Sequence, residues 1–173
     1  MGYQLQVEAG SDEPYSLFLM KAKKKGQDTT MEIRKMTIED YDAVYQLWFS
    51  TAGMGLRTLD DSREGLAKLL DRNPNTSFVA TIEGEIIGVT LSGHDGRRGY
   101  IYHTAVRTSH RGQKIGKALL EAVYSAMKEE GINKMGLLIY KDNDSGNAFW
   151  TSQDWVQRTD LNYYDKNLNR ENQ

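Results

Sequence analysis

The chain has 173 residues, 39% of them hydrophobic and 27% charged, which suits one soluble domain with a proper core. A formal net charge of −2 argues against nucleic acid or an anionic membrane as the main partner, and the absence of cysteine removes disulfides, thiolate nucleophiles and Cys-based metal sites. No apolar run is long enough to span a bilayer, and Met1 to Gln6 does not open a signal peptide, so the sequence reads as cytoplasmic.

Residues 1–30 stand apart, with the charged run Lys21 to Lys25 followed by Gly26 and a polar stretch; they are expected to be an N-terminal extension to a domain spanning 31–173. Within them, Ser16 to Met20 is compatible with a short strand or helix. Glu32 to Met36 reads as a strand. Thr37 then caps a helix with Asp40 at its third position, and Tyr41, Val44, Tyr45 and Trp48 fall on one face. Ser50 to Thr58, with Gly53 and Gly55, is a loop. Asp61 or Ser62 caps a second helix that turns Leu66, Leu69 and Leu70 inward and stops before Pro74.

Ser77–Ile82 and Glu85–Ser92 form a hairpin across Glu83-Gly84, and Gly99–Arg107 is a further strand. Ile115 to Glu130 carries the strongest helical repeat, through Ile115, Ala118, Leu119, Ala122, Val123, Ala126 and Met127. Gly131 ends it, with Ile132 closing over the end. Met135–Tyr140 reads as a strand, Asn143–Gln153 as a capped helix, and Trp155–Thr159 and Leu161–Lys166 as a closing strand pair. The order predicts an α/β (α+β) fold with helices on the faces of a sheet.

Thr104 to Leu120 carries the chemistry. A strand runs through a turn with Arg111 and Gly112 into a helix that starts near Ile115 and Gly116. Unpaired N–H groups and the helix dipole suit a phosphate there. Glycine admits close backbone approach, and Arg111 and Lys114 add positive charge for a diphosphate. From the residues alone, an anion site and a ligand-free strand-to-helix turn fit equally well.

This segment resembles the signature of the GNAT N-acetyltransferases, Arg/Gln-x-x-Gly-x-Gly/Ala. It reads Arg111-Gly112-Gln113-Lys114-Ile115-Gly116, after Ala105-Val106 and before Leu119-Leu120, with Lys114 standing where the family has glycine. The resemblance covers Met31 to Lys166. A second family signature is matched in kind by Asn143, Phe149 and Trp155, while Gly146, Trp150 and Asp154 depart from it. Gly93 to Gly99 is similar to a poorly characterised bacterial branch near the ribosomal-protein and small-amine acetyltransferases.

The resemblance implies a GNAT fold, a mixed and mostly antiparallel central sheet flanked by helices. It also implies acetyl-CoA as donor and an amine, on a small molecule or a protein, as acceptor. The diphosphate would rest on Gly112, Gln113, Lys114, Ile115, Gly116 and Lys117 beside Arg111. The pantetheine arm would pair with Ala105 and Val106, the Thr104 or Ala105 N–H would face the thioester oxygen, and Asn143, Phe149 and Trp150 would complete the donor site. Glutamates that some relatives use as a base are replaced by Tyr100 and Leu138. His103 becomes the candidate base, since histidine titrates near neutrality; its alternative is a sheet histidine without chemistry. His94 beside Asp95 is a weaker candidate. Trp150 stands where many relatives have an acidic tyrosine, so Tyr140, Tyr164 or water would reprotonate CoA, with Tyr164 taken as the acid.

On the acceptor side, Asp60, Asp61 and Glu64 either draw a cationic amine or serve as caps and a solvated face, and Tyr100, Tyr102, Tyr163 and Tyr164 line a groove or are simply strand residues. A catalytically silent acyl-CoA-binding or sensing module is the competing reading. A P-loop lacks its hydroxyl at Gly116-Lys117-Ala118, and His94, His103 and His110 have no metal-site spacing. The expected partners are the amine substrate alone, with neither nucleic acid nor membrane, in a monomer or homodimer.

Overall fold

A computed structural model describes residues 4–9, 18–23 and 30–173. Strands β1 (Gln4–Ala9) and β2 (Phe18–Lys23) pair antiparallel as a separate two-stranded sheet, from Gln4 opposite Lys23 to Ala9 opposite Phe18. The main sheet has five strands in the order β3-β4-β5-β6-β7: β3 (Met31–Lys35), β4 (Phe78–Ile82), β5 (Glu85–His94), β6 (Gly99–Val106) and β7 (Met135–Leu137). Every neighbouring pair is antiparallel except β6 and β7, which are parallel.

Four helices cover the sheet: α1 (Tyr41–Phe49), α2 (Arg63–Arg72), α3 (Ile115–Glu129) and α4 (Asp144–Ser152). On one face the α3 stripe Leu119, Val123 and Met127 packs on Ile33, Phe78 and Ile87. On the other, Val44 and Trp48 of α1 and Leu66 of α2 pack on Val79, Val89 and Leu91. Each buried side chain of this kind contributes roughly 1.5–3 kcal/mol relative to exposure.

Local chemistry explains the boundaries. A single 3₁₀ turn, Ile38–Asp40, precedes α1, and the Asp40 carboxylate accepts the Thr37 N–H at 2.9 Å and a two-pronged bond from Arg34, both prongs at 2.7 Å. Burial alone would push the Asp40 carboxyl up, but Arg34 and the Thr37 N–H outweigh it and hold it below the usual carboxylate range. Ser62 rather than Asp61 caps α2, accepting the Gly65 N–H at 3.1 Å. The β4–β5 turn has two successive left-handed residues, Glu83 (φ 51°) and Gly84 (φ 80°), as a two-residue primed turn requires. At the end of α3, the Ile132 N–H bonds Met127 O at 2.8 Å and its side chain joins the core.

Three expected strands are corrected. β7 stops at Leu137 instead of reaching Tyr140, because the chain turns away from β6; Leu138 and Tyr140 are exposed and line a cleft. Residues 155–166 form no strands. They have strand-type residues but no partner edge, since β7 offers only three residues, and Val156, Leu161 and Tyr164 stay exposed. Among the described residues, no helix is long and apolar enough to cross a membrane.

Candidate active site

β6 and β7 pair only from Gly99–Met135 to Ile101–Leu137 and then separate. From Tyr102 to Val106, β6 therefore has one edge without a strand partner, and that edge lies in a cleft of about 2530 Å³. Thr104, Ala105 and Val106 all line it, as do Arg111, Gly112, Lys114, Ile115, Gly116 and Lys117 at the start of α3. The open edge and the helix start thus meet in one place.

The α3 entry depends on two left-handed residues, Gly112 (φ 74°) and Lys114 (φ 65°, ψ 11°). Lys114, which replaces the family glycine, nevertheless keeps the glycine-type backbone, at a cost of roughly 1–2 kcal/mol for an L-residue. No side chain caps the helix, and the first main-chain bond to Lys114 O comes from Ala118 N at 3.0 Å. The preceding N–H groups are left for an anion. Arg111 Nε donates to Val106 O at 3.1 Å, tying the loop to the end of β6. Gln113 points elsewhere: its Nε2 donates to Ser109 O at 3.4 Å and it does not line the cleft.

α4 forms the other wall. A Cβ on Gly116 would lie 3.1 Å from Phe149 Cζ, so the helices touch there and a larger residue would press on that ring. Phe149, Trp150 and Trp155 form a chain of edge-on rings 5.1 and 5.2 Å apart, anchored by Trp155 Nε1 donating to Tyr124 OH at 2.7 Å. Asn143 caps α4 through Oδ1, which accepts the Gly146 N–H at 3.0 Å; its Nδ2 lies against Gly53 of the α1–α2 loop. That loop also meets Tyr140, whose hydroxyl would be 2.9 Å from a Cβ on Gly55.

At the floor of the cleft, His103 Nε2 pairs with Asp61 Oδ1 at 2.7 Å, and both side chains are almost fully buried. The other Asp61 oxygen accepts the Arg57 N–H at 2.6 Å, and Tyr41 OH donates to Asp61 O at 3.1 Å. The His103 ring lies 4.9 Å from that of Trp48, and neither His103 Nδ1 nor Trp48 Nε1 has a partner. With Nε2–H given to the carboxylate, Nδ1 keeps its lone pair, on an atom that is itself buried. A bulge puts His103 there: Leu91 pairs with His103 and Ser92 with Ile101, leaving Tyr102 as an extra residue.

Sequence reasoning missed the Asp61 partnership, because 42 residues separate it from His103 and no local pattern marks it. Tyr100 and Leu138, at the family glutamate positions, line the cleft without a carboxylate. Tyr164 is 85% exposed and does not line the cleft, whereas Tyr140 does. His94 lies outside, 3.8 Å from Glu130.

The description "Acetyltransferase (GNAT) family" belongs to a family model that matches residues 39–155. The chain belongs to the GNAT acetyltransferase family. An acetyltransferase of Pectobacterium atrosepticum is 33% identical over 115 residues, 66% of this chain and 80% of that one. Two solved structures share the fold. The PaiA N-acetyltransferase of Thermoplasma acidophilum, in complex with coenzyme A, has a TM-score of 0.62 and 21% identity, covering 71% of this chain and 87% of its own. An aminoglycoside acetyltransferase from an uncultured soil sample, in complex with trehalose, has a TM-score of 0.60 and 24% identity, covering 80% and 97%. The expected mixed sheet flanked by helices is therefore the fold of this enzyme.

Proposed function

We propose that the enzyme transfers acetyl from acetyl-CoA to a primary amine by direct attack, within a domain of residues 31–173 to which residues 1–30 are an appendage. The observation that carries the reading is the meeting of an uncapped helix start with a strand edge that has no partner strand, both in one cleft. A diphosphate suits the first-turn N–H groups of α3, with Arg111, Lys114 and Lys117 adding charge. An extended pantetheine suits the β6 edge at Ala105 and Val106, as an added strand would. Phe149, Trp150 and the Asn143 amide then flank the arm.

In the reaction, the amine nitrogen bonds to the thioester carbonyl carbon, and the C–S bond breaks as the tetrahedral intermediate collapses. A main-chain N–H at Thr104 or Ala105 steadies the oxyanion. His103 takes the amine proton while Asp61 holds the ring and offsets the imidazolium charge. The departing thiolate gains a proton from Tyr140 or water, so the products are the amide and free CoA. Tyr140 takes precedence over Tyr164 because it borders the cleft.

Calorimetric titration with acetyl-CoA tests the donor site. Wild type binds, and folded Gly116→Glu, which sets bulk and negative charge against Phe149 and the helix start, does not. Release of free CoA with an amine panel then separates a transferase from a silent acyl-CoA sensor, the reading favoured by Trp150 at the usual tyrosine position. Absence of binding by wild type would defeat both.

A further inference from the structure

Asp60 and Asp61, which line the acceptor half of the cleft, are held in hydrogen bonds. Asp61 has both oxygens engaged, by His103 and by the Arg57 N–H. Asp60 accepts the Asn172 amide at 2.7 Å. Glu64 and Asp71 of α2 lie off the cleft. The α2 residues that do face it are Gly65, Lys68, Leu69 and Arg72, a stripe at helical spacing. Lys68 and Arg72 are exposed, one turn apart, and neither has an ion-pair partner among the described residues.

Across from them, Tyr100 and Tyr102 of β6 line the same cleft, both about half exposed. Gly99 abuts Met127 and Val106 packs with the α3 core, whereas Ala105 belongs to the core beneath α1. Strand alternation, with the bulge at Tyr102, then turns Tyr100, Tyr102 and His103 to the α1–α2 side. That half of the cleft thus has aromatic walls, the His103–Asp61 pair at its floor and, on one rim, two cations with no ion-pair partner among the described residues. Asp165 and Lys166, adjacent on the C-terminal segment that also borders it, offset one another.

We propose that the acceptor is a small primary amine that also carries an anion, a carboxylate or a phosphate, with its amine at His103 and its anion at Lys68 and Arg72. The inference rests on the amine-acetylation reading and narrows its substrate. An amine bound this way gains from both ends, whereas a polycation meets the charge of Lys68 and Arg72.

The test uses binding as well as turnover. CoA-loaded wild type and the double variant Lys68→Glu/Arg72→Glu are titrated with γ-aminobutyrate, O-phosphoethanolamine, uncharged butylamine and the diamine putrescine, and acetylation of each is followed with acetyl-CoA. Wild type is expected to favour an anionic amine over putrescine by about tenfold or more. The charge reversal inverts that order while acetyl-CoA affinity stays within about twofold, and added salt narrows the preference. The two anionic probes distinguish a carboxylate from a phosphate. Equal or tighter binding of putrescine by wild type, no binding by any amine, or a preference that survives the charge reversal would overturn the proposal. Binding of an anionic amine without its acetylation would instead sink the transfer reading and leave the ligand class standing.

Discussion

The left-handed conformation of Lys114 gives a measurable conflict between residue type and backbone. Its φ of 65° and ψ of 11° cost an L-residue roughly 1–2 kcal/mol, while glycine in its place adds about 0.5–1 kcal/mol of chain entropy to the unfolded state. Lys114→Gly is therefore expected to stabilise the protein by about 0.5–1 kcal/mol, a rise in Tm of about 2 °C for a chain of this size. Lys114→Ala keeps the penalty and should leave stability within about 0.5 kcal/mol of wild type. Urea unfolding of the three proteins, with a common m-value, reads the difference. Both variants lose one exposed charge, so acetyl-CoA affinity should fall a similar few-fold in each. A destabilised Lys114→Gly, or an alanine variant as stable as the glycine one, would refute the reasoning.

Two further outcomes follow from the buried carboxylates. Asp61→Asn leaves one of its two contacts, His103 Nε2 or the Arg57 N–H, facing an amide N–H₂; kcat should drop about 100-fold with acetyl-CoA KM unchanged. Adding His103→Gln should cost little more, since the two act as a unit. Asp40 is held below the usual carboxylate range in the fold, so its contribution is present above an ordinary carboxyl pKa of about 4 and is lost as pH falls through the folded value. Urea midpoints between neutral pH and about pH 3 should decline less steeply in Asp40→Asn than in wild type.

The parts legible in the sequence are those made by near neighbours. Ile115 to Glu129 repeats its own apolar stripe, Glu83-Gly84 marks its own turn, and Arg111 to Gly116 carries the family signature and the helix start within six residues. What escaped were distant pairings and missing partners. Asp61 looks like a cap until the fold brings His103 to it, and a bulge on β6 decides where that histidine points. Residues 155–166 have strand-type side chains, but β propensity expresses itself only against a neighbouring strand. Asp60, Asp61 and Glu64 read either as a cation site or as caps and a solvated face; the fold engages Asp60 and Asp61 in hydrogen bonds and brings Lys68 and Arg72 to the same cleft.

The two halves of the cleft are built on different length scales. The α3 start closes through bonds that span a few residues, such as Ala118 N to Lys114 O. The loop ahead of Asp61 is held from the far end of the chain: Asn172 Oδ1 accepts the Leu59 and Asp60 N–H groups at 3.0 and 3.1 Å, and Gln173 O accepts the Thr58 N–H at 2.9 Å. Contacts across more than a hundred residues form late and, when few and exposed, open first. Amide hydrogen exchange should therefore be faster at Thr58, Leu59 and Asp60 than along the interior of α3. Ordering of the last residues thus bears on how Asp61 is held, and clipping of the exposed 158–168 stretch is expected to lower turnover more than acetyl-CoA affinity.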